Sequence, residues 1–121
     1  MNNVPISILL IENNTLSRQN MAAFFENFGY QVTQTEDGEE AIKLIHDIKF
    51  DVVITDLQLQ CMVDGLDILA CHKKVSPEAK SFLMTAFGSD EVRKQAASFG
   101  AIYVEKPIRL SELLPLLHGE A

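Results

Sequence analysis

Five short apolar runs recur along the chain, separated by stretches in which apolar residues return every three or four positions. Ile6 to Ile11 and Val52 to Thr55 are apolar or β-branched at nearly every position, the pattern of strands buried on both faces. Tyr30 to Thr35 alternates, Lys80 to Thr85 holds Phe82-Leu83-Met84, and Ala101 to Val104 completes the set. Helical stripes lie between them. Met21, Phe24, Phe25 and Phe28 share one face of a helix that Asn13, Asn14 or Thr15 can cap and that Gly29 ends. Asp37-Gly38-Glu39 opens a second helix, with Ala41, Leu44, Ile45 and Ile48 on one face. Leu66 to Val75 is expected as a third, with Leu66, Leu69 and Ala70 inward, stopping before Ser76-Pro77. Ser89 caps a fourth helix carrying Val92, Ala96 and Phe99, and Gly100 closes it. The last helix, around Leu110 to Leu117, contains Pro115. An interior proline removes one hydrogen bond and crowds the preceding turn, so this helix is expected to be short or kinked.

Strands alternating with helices in short units predict a βαβ series, hence a parallel sheet with right-handed crossovers and helices on both faces. The expected fold is α/β, a single doubly wound five-stranded parallel sheet forming one domain over residues 1–121. Strand order is not contained in the periodicity.

Composition narrows the function classes. The chain has 121 residues, 47% of them hydrophobic and 22% charged, which suits a soluble globular domain with a proper core. No run approaches the roughly 18 to 20 apolar residues of a membrane span, and no basic region leads into an apolar signal segment at the start. A net charge of −7 argues against direct nucleic-acid binding, because phosphate contacts need clustered positive charge. Cys61 and Cys71 fit no metal spacing and no disulfide framework, so free thiols in a reducing cytoplasm are expected. His46, His72 and His118 are scattered and read as surface residues.

The chemistry gathers where the strands end. In open α/β sheets the carboxyl ends of the strands form the rim where ligands bind. The first strand ends in Glu12 and Asn13, the third in Asp56, the fourth in Thr85, and the fifth leads to Lys106. Each has an ordinary alternative: a helix cap for Glu12 or Asn13, a turn cap for Asp56, a strand residue for Thr85, a solvated charge for Lys106. Their joint placement on one rim is what carries weight.

These residues resemble the response-regulator receiver domains. The resemblance rests on Ile11-Glu12-Asn13, Asp51-Val52-Val53-Ile54-Thr55-Asp56, Asp64-Gly65, Met84-Thr85-Ala86, and Gly100-Ala101 leading to Lys106-Pro107, and it covers essentially the whole chain. It implies the flavodoxin-like, CheY-like (βα)5 sheet of order 2-1-3-4-5 and a cis peptide bond before Pro107. It further implies that Asp56 is a phosphoacceptor taking its phosphoryl group from a phosphohistidine on a sensor histidine kinase or a histidine phosphotransfer protein. Mg²⁺ would be held by Asp56, Glu12, the backbone carbonyl of Gln58 and, weakly, Asn13. Lys106 would pair with the phosphate, Thr85 would bond one of its oxygens, and Tyr103 would act as a switch aromatic, with a half-buried strand tyrosine as its ordinary alternative. The family's output face, formed by the fourth helix, fifth strand and fifth helix, would include Arg93, Lys94, Tyr103 and Arg109. It would contact an output domain or a second copy.

The chain departs from the family pattern in three places. Asn13 stands where a second acid is usual, Gln60 stands where proline is usual, and Asp64-Gly65 comes one residue later than usual. The expected function is thus a phosphorylation-controlled switch in a two-component system, with no enzymatic activity beyond its own phosphorylation and dephosphorylation. The alternative is a degenerate receiver that only docks proteins. A phosphatase with an aspartyl nucleophile is disfavoured because Gln58 occupies the general-acid position, and a flavodoxin because Glu12-Asn13-Asn14 is no phosphate loop. The end of the chain soon after the fifth helix suits a stand-alone receiver or one cut from a larger protein, and Met84 to Gly88 resembles receivers attached to transcriptional activators or sensor kinases.

Overall fold

Burial on both faces is what turns the two apolar runs into the middle of the sheet. In the computed structural model, which describes residues 4–117, five strands and five helices alternate. They are β1 (Ser7–Ile11), α1 (Thr15–Asn27), β2 (Gln31–Thr35), α2 (Gly38–Asp47), β3 (Val52–Asp56), α3 (Gly65–Val75), β4 (Lys80–Thr85), α4 (Asp90–Ser98), β5 (Ile102–Glu105) and α5 (Leu110–Leu117). All neighbouring pairs are parallel, and the order is β2-β1-β3-β4-β5, as the resemblance implied. No helix among the described residues is long and apolar enough to cross a membrane.

Successive residues of each central strand feed opposite layers. Ile8, Leu10, Val52, Ile54, Phe82 and Met84 pack on one face with Met21, Ala22 and Phe25 of α1 and Leu113 and Leu117 of α5. Leu9, Ile11 and Val53 pack on the other with Ala41 and Ile45 of α2 and Ile68 of α3. Leu57, Leu69, Leu83 and Ala96 extend that second layer toward α4. Both faces need apolar side chains, so β1 and β3 cannot alternate in sequence. Each Leu or Ile so buried contributes roughly 1.5 to 3 kcal/mol.

The helix starts follow the sequence. Asn14, Asp37, Asp64 and Ser89 are the N-caps, each accepting a backbone N–H of the first turn. Asp64 forms a reciprocal capping box with Asp67. Gly29 and Gly100 follow α1 and α4 with positive φ, where a side chain would be strained. Helix α5 carries Pro115 inside its eight described residues.

Four expectations need correction. Phe28 is 59% exposed, because it is the C-cap of α1 and the chain has already left the helical stripe. Ile48 is likewise the extended C-cap of α2 and is 46% exposed. On α3 the inward stripe is Gly65, Ile68, Leu69 and His72, while Leu66 and Ala70 are only half-buried. His72 is therefore no surface residue. It lies three and four residues beyond Leu69 and Ile68, on the same helical face, and is 2% exposed. His46 is exposed as expected, and His118 lies outside the described residues. Cys61 and Cys71 are free thiols, in the β3–α3 loop and in α3.

Burial pushes the His72 imidazole below its usual 6.5, against the opposing pull of a hydrogen bond to the Phe50 backbone. The unfolded chain takes up that proton near 6.5 and the folded chain does not. The stabilising contribution of neutral His72 is therefore complete above 6.5 and is lost as pH falls below it. Thermal melts from pH 7 to pH 5 should show a steeper loss for wild type than for His72→Gln, and equal losses would exclude His72 as the cause. A second expectation concerns Gly65, at the first turn of α3. A Cβ there would stand 2.2 Å from the Asp56 carbonyl oxygen and 2.9 Å from Leu57 Cα, backbone atoms that cannot step aside. Helix propensity favours alanine over glycine, yet Gly65→Ala should lower stability by about 1 to 3 kcal/mol in a denaturant titration. A stabilised variant would refute this.

Candidate functional site

The alternation that builds the core also delivers the site. Glu12 continues the row Ile8-Leu10 beyond the end of β1, and Asp56 ends the row Val52-Ile54 in β3. The register pairs Leu10 with Ile54 and Ile11 with Thr55, so the next residues along, Glu12 and Asp56, emerge side by side on the face covered by α1 and α5. Lys106 follows Ile102 and Val104 in the same alternation, just past β5, and its peptide bond to Pro107 is cis, as the resemblance implied. Thr85 has the opposite parity and shares its face with Leu83 and Tyr103.

Lys106 Nζ lies 2.6 Å from Asp56 Oδ1 and 3.0 Å from Glu12 Oε1. The loop after β1 grips both carboxylates through consecutive amides. Asn13 N–H donates to Asp56 Oδ2 at 3.1 Å, and Asn14 N–H donates to Glu12 Oε2 at 3.0 Å. Ser17 Oγ adds a longer bond of 3.4 Å to Glu12 Oε1. Glu12 is 1% exposed and Asp56 4%, so both acids sit at the floor of a cleft. Asn13, Gln58, Thr85 and Lys106 line the same cleft. The Thr85 hydroxyl accepts the N–H of Phe87 at 3.1 Å, and its carbonyl accepts the N–H of Lys106 at 3.0 Å.

Burial sets the electrostatics. It pushes the Asp56 carboxyl up to about 7, and the neighbouring Glu12 adds to the rise while Lys106 and the Asn13 amide oppose it. Burial also works against ionisation of Glu12, but hydrogen bonds involving Asp56, the Asn14 amide and Lys106 more than offset it and hold that carboxyl below its usual range. Lys106 is likewise disfavoured by burial, yet the two carboxylates raise its pKa above the ordinary value. Of the two acids, Asp56 is therefore the one pushed toward its neutral form and Glu12 the one held toward its charged form.

Every residue assigned to the phosphoacceptor and metal positions thus meets in one place. Tyr103 does not line the cleft. Its ring stands on the far side of Thr85, with the Arg93 guanidinium 4.6 Å above it and its hydroxyl pressed against Gly88, where a Cβ would have only 1.5 Å of room. That hydroxyl is buried and has no hydrogen-bond partner among the described residues. Arg93 also pairs with Glu105, and Arg93, Lys94 and Arg109 are exposed. Sequence reasoning passed over Arg18. Its Nη1 donates to the Glu12 carbonyl at 2.9 Å and lies 3.8 Å from Glu36 Oε2. The available signal was its position four residues past the Asn14 cap, on the turn facing the acidic rim.

The receiver resemblance implies a divalent cation, and the donor set accommodates one. Asp56 Oδ1 is buried without a directed hydrogen bond among the described residues, despite the nearby ammonium. Two carboxylates, the Asn13 amide and Gln58 are hard oxygen donors around one cleft. Among the described residues no third His, Cys, Asp or Glu joins them.

Comparison with known proteins agrees with this fold. A response regulator protein from Burkholderia pseudomallei, whose crystal structure carries a phosphorylated aspartic acid, a calcium ion and citrate, is 30% identical, with a TM-score of 0.84 over 93% of this chain and 66% of that one. A CheY-like receiver domain protein from Methanospirillum hungatei shares the fold at a TM-score of 0.90 and 23% identity, covering 97% of this chain and 94% of that one. The transcriptional regulatory protein PdtaR of Mycobacterium tuberculosis is 30% identical over 118 residues, 94% of this chain and 56% of its own length. A cyclic di-GMP phosphodiesterase of Thermotoga maritima is 30% identical over 112 residues, 92% of this chain but 29% of that protein. The chain thus spans about half or less of these two relatives. Residues 8–118 match the response regulator receiver domain, and the chain belongs to that family.

Proposed function

We propose that the chain is a phosphoryl-accepting switch whose acceptor is Asp56. The observation that carries this reading is the contact of Lys106 Nζ, 2.6 Å from Asp56 Oδ1, at the floor of a cleft that a second carboxylate shares. The donor is a phosphohistidine on a sensor histidine kinase or a phosphotransfer protein. An Asp56 carboxylate oxygen attacks the phosphorus, the phosphorus–nitrogen bond breaks, and the imidazole leaves with the electron pair, so an acyl phosphate forms on Asp56. Lys106 holds the transferred group as a point charge, and the Thr85 hydroxyl, which accepts the Phe87 N–H, turns its own O–H to donate to a phosphate oxygen. Asp56, Glu12, the Gln58 backbone carbonyl and Asn13 would hold a Mg²⁺ ion, which would supply positive charge to offset the phosphoryl oxygens.

Movement of Thr85 shifts the β4–α4 loop against which Tyr103 rests, and so reaches the face of α4, β5 and α5 that carries Arg93, Lys94 and Arg109. That face serves an output domain or a second copy. A purely docking role, independent of phosphorylation, is the weaker reading, because it leaves the buried carboxylate pair without a use.

Incubation with Mg²⁺ and phosphoramidate or acetyl phosphate should add one phosphoryl group by intact mass, and Asp56→Asn should add none. A labelled Asp56→Asn variant, or an adduct that is acid-labile and base-stable, would sink this assignment.

Asn13 generates a second expectation. Its amide oxygen can ligate a cation but brings no charge, and the Coulomb attraction it forgoes is several kcal/mol even at an effective dielectric near ~20. After desolvation the net loss is about 1 to 3 kcal/mol, roughly ten- to a hundredfold in affinity. Asn13→Asp should therefore tighten Mg²⁺ and speed phosphorylation, while melting at lower temperature in chelator, where a third carboxylate adds repulsion. Equal Mg²⁺ affinities by titration would place Asn13 away from the metal.

A further inference from the structure

A single peptide unit links the first strand to the acceptor. The carbonyl of Glu12 and the N–H of Asn13 belong to the same planar group, and the two point in opposite directions. The carbonyl accepts from Arg18 Nη1 at 2.9 Å, and the N–H donates to Asp56 Oδ2 at 3.1 Å. Rotation of this plane would break both bonds together. The side chain of Arg18 is 13% exposed and is secured by its own helix, whose first turn Asn14 caps. Its second contact, to Glu36, is long and reaches a side chain that is 61% exposed, so little of its ordering comes from there.

We infer that Arg18 is a positioning residue for the acceptor: it fixes the Glu12–Asn13 peptide so that the Asn13 amide holds Asp56 Oδ2 while the buried Oδ1 stays against Lys106 Nζ. This deepens the phosphoacceptor reading and rests on it. A carboxylate free to rotate would exchange its two oxygens between the amide and the ammonium. With the amide fixed in advance, one oxygen is committed before any donor arrives, which is the preorganisation on which transfer rates depend. A guanidinium suits the task because it stays charged and its planar fork donates in a set direction. The neighbouring amide of Asn14, which holds Glu12 Oε2, belongs to the next peptide and follows the same turn.

The test compares wild type with Arg18→Met, which removes the donor, and Arg18→Lys, which keeps a shorter cationic one. The first readout is hydrogen exchange of individual amides in unphosphorylated protein. In Arg18→Met the Asn13 amide should exchange about tenfold faster, the scale of one net hydrogen bond, with Arg18→Lys in between. The Leu57 amide, bonded to the Met84 carbonyl at 2.9 Å, should keep its protection, whereas general loosening would accelerate both. The second readout is phosphorylation by phosphoramidate at saturating Mg²⁺, which should slow about ten- to a hundredfold in Arg18→Met and less in Arg18→Lys.

Unchanged Asn13 exchange in Arg18→Met overturns the proposal, as does an unchanged phosphorylation rate beside an active wild type. A wild type that takes up no phosphoryl group overturns the phosphoacceptor reading instead, and the exchange data still judge the peptide. Should Arg18→Met fail to fold, Arg18→Lys decides by the same readouts, since a shortened donor must also loosen the amide.

Discussion

Two carboxylates buried against one ammonium form the constraint on which the rest depends. Glu12 and Asp56 are both nearly inaccessible, and Lys106 stands between them. Fully ionised, the three groups leave one uncompensated negative charge at the end of a low-dielectric sheet, a costly arrangement. The Asp56 carboxyl is pushed up to about 7, toward the neutral form that would relieve that cost. A cation would settle it in another way, and the arrival of a phosphoryl group in a third.

Much of the surrounding structure serves to keep those charges where they are. The amides of Asn13 and Asn14 take one oxygen from each acid, and Gly65 lets the chain after Asp56 double back so closely that its own N–H reaches the Leu57 carbonyl at 2.8 Å. Thr85 and Tyr103 occupy the opposite face of the same rim. One strand, β4, therefore touches both the charged cleft, through its end, and the α4–β5–α5 surface, through the row Leu83 and Thr85.

Neutral Asn13 gives this chain a less acidic rim than the family pattern. Burial and the neighbouring Glu12 already push the Asp56 carboxyl up to about 7, and a third acid on this rim would add to that pressure.

Local pattern and spacing contain most of the fold. The continuous apolar runs of β1 and β3 require two covered faces, and only a parallel sheet between helix layers supplies them. The caps Asn14, Asp37, Asp64 and Ser89 and the glycines 29 and 100 are short-range signals, because a helix end is satisfied by its own neighbours. The rim residues Glu12, Asp56, Thr85 and Lys106 were readable because strand ends in such a sheet share one edge. Helix ends and helix faces were less readable. Phe28 and Ile48 satisfy the heptad-like spacing yet sit where the helix has stopped, and His72 was judged by its chemistry although its position put it on the buried stripe. The bond from Arg18 to the Glu12 carbonyl is local, but the Tyr103 hydroxyl against Gly88 and the raised pKa of Asp56 belong to the tertiary structure alone. Each depends on groups far apart in the chain, as Asn13 and Asp56 are, and burial and distance between such groups exist only once the sheet has closed.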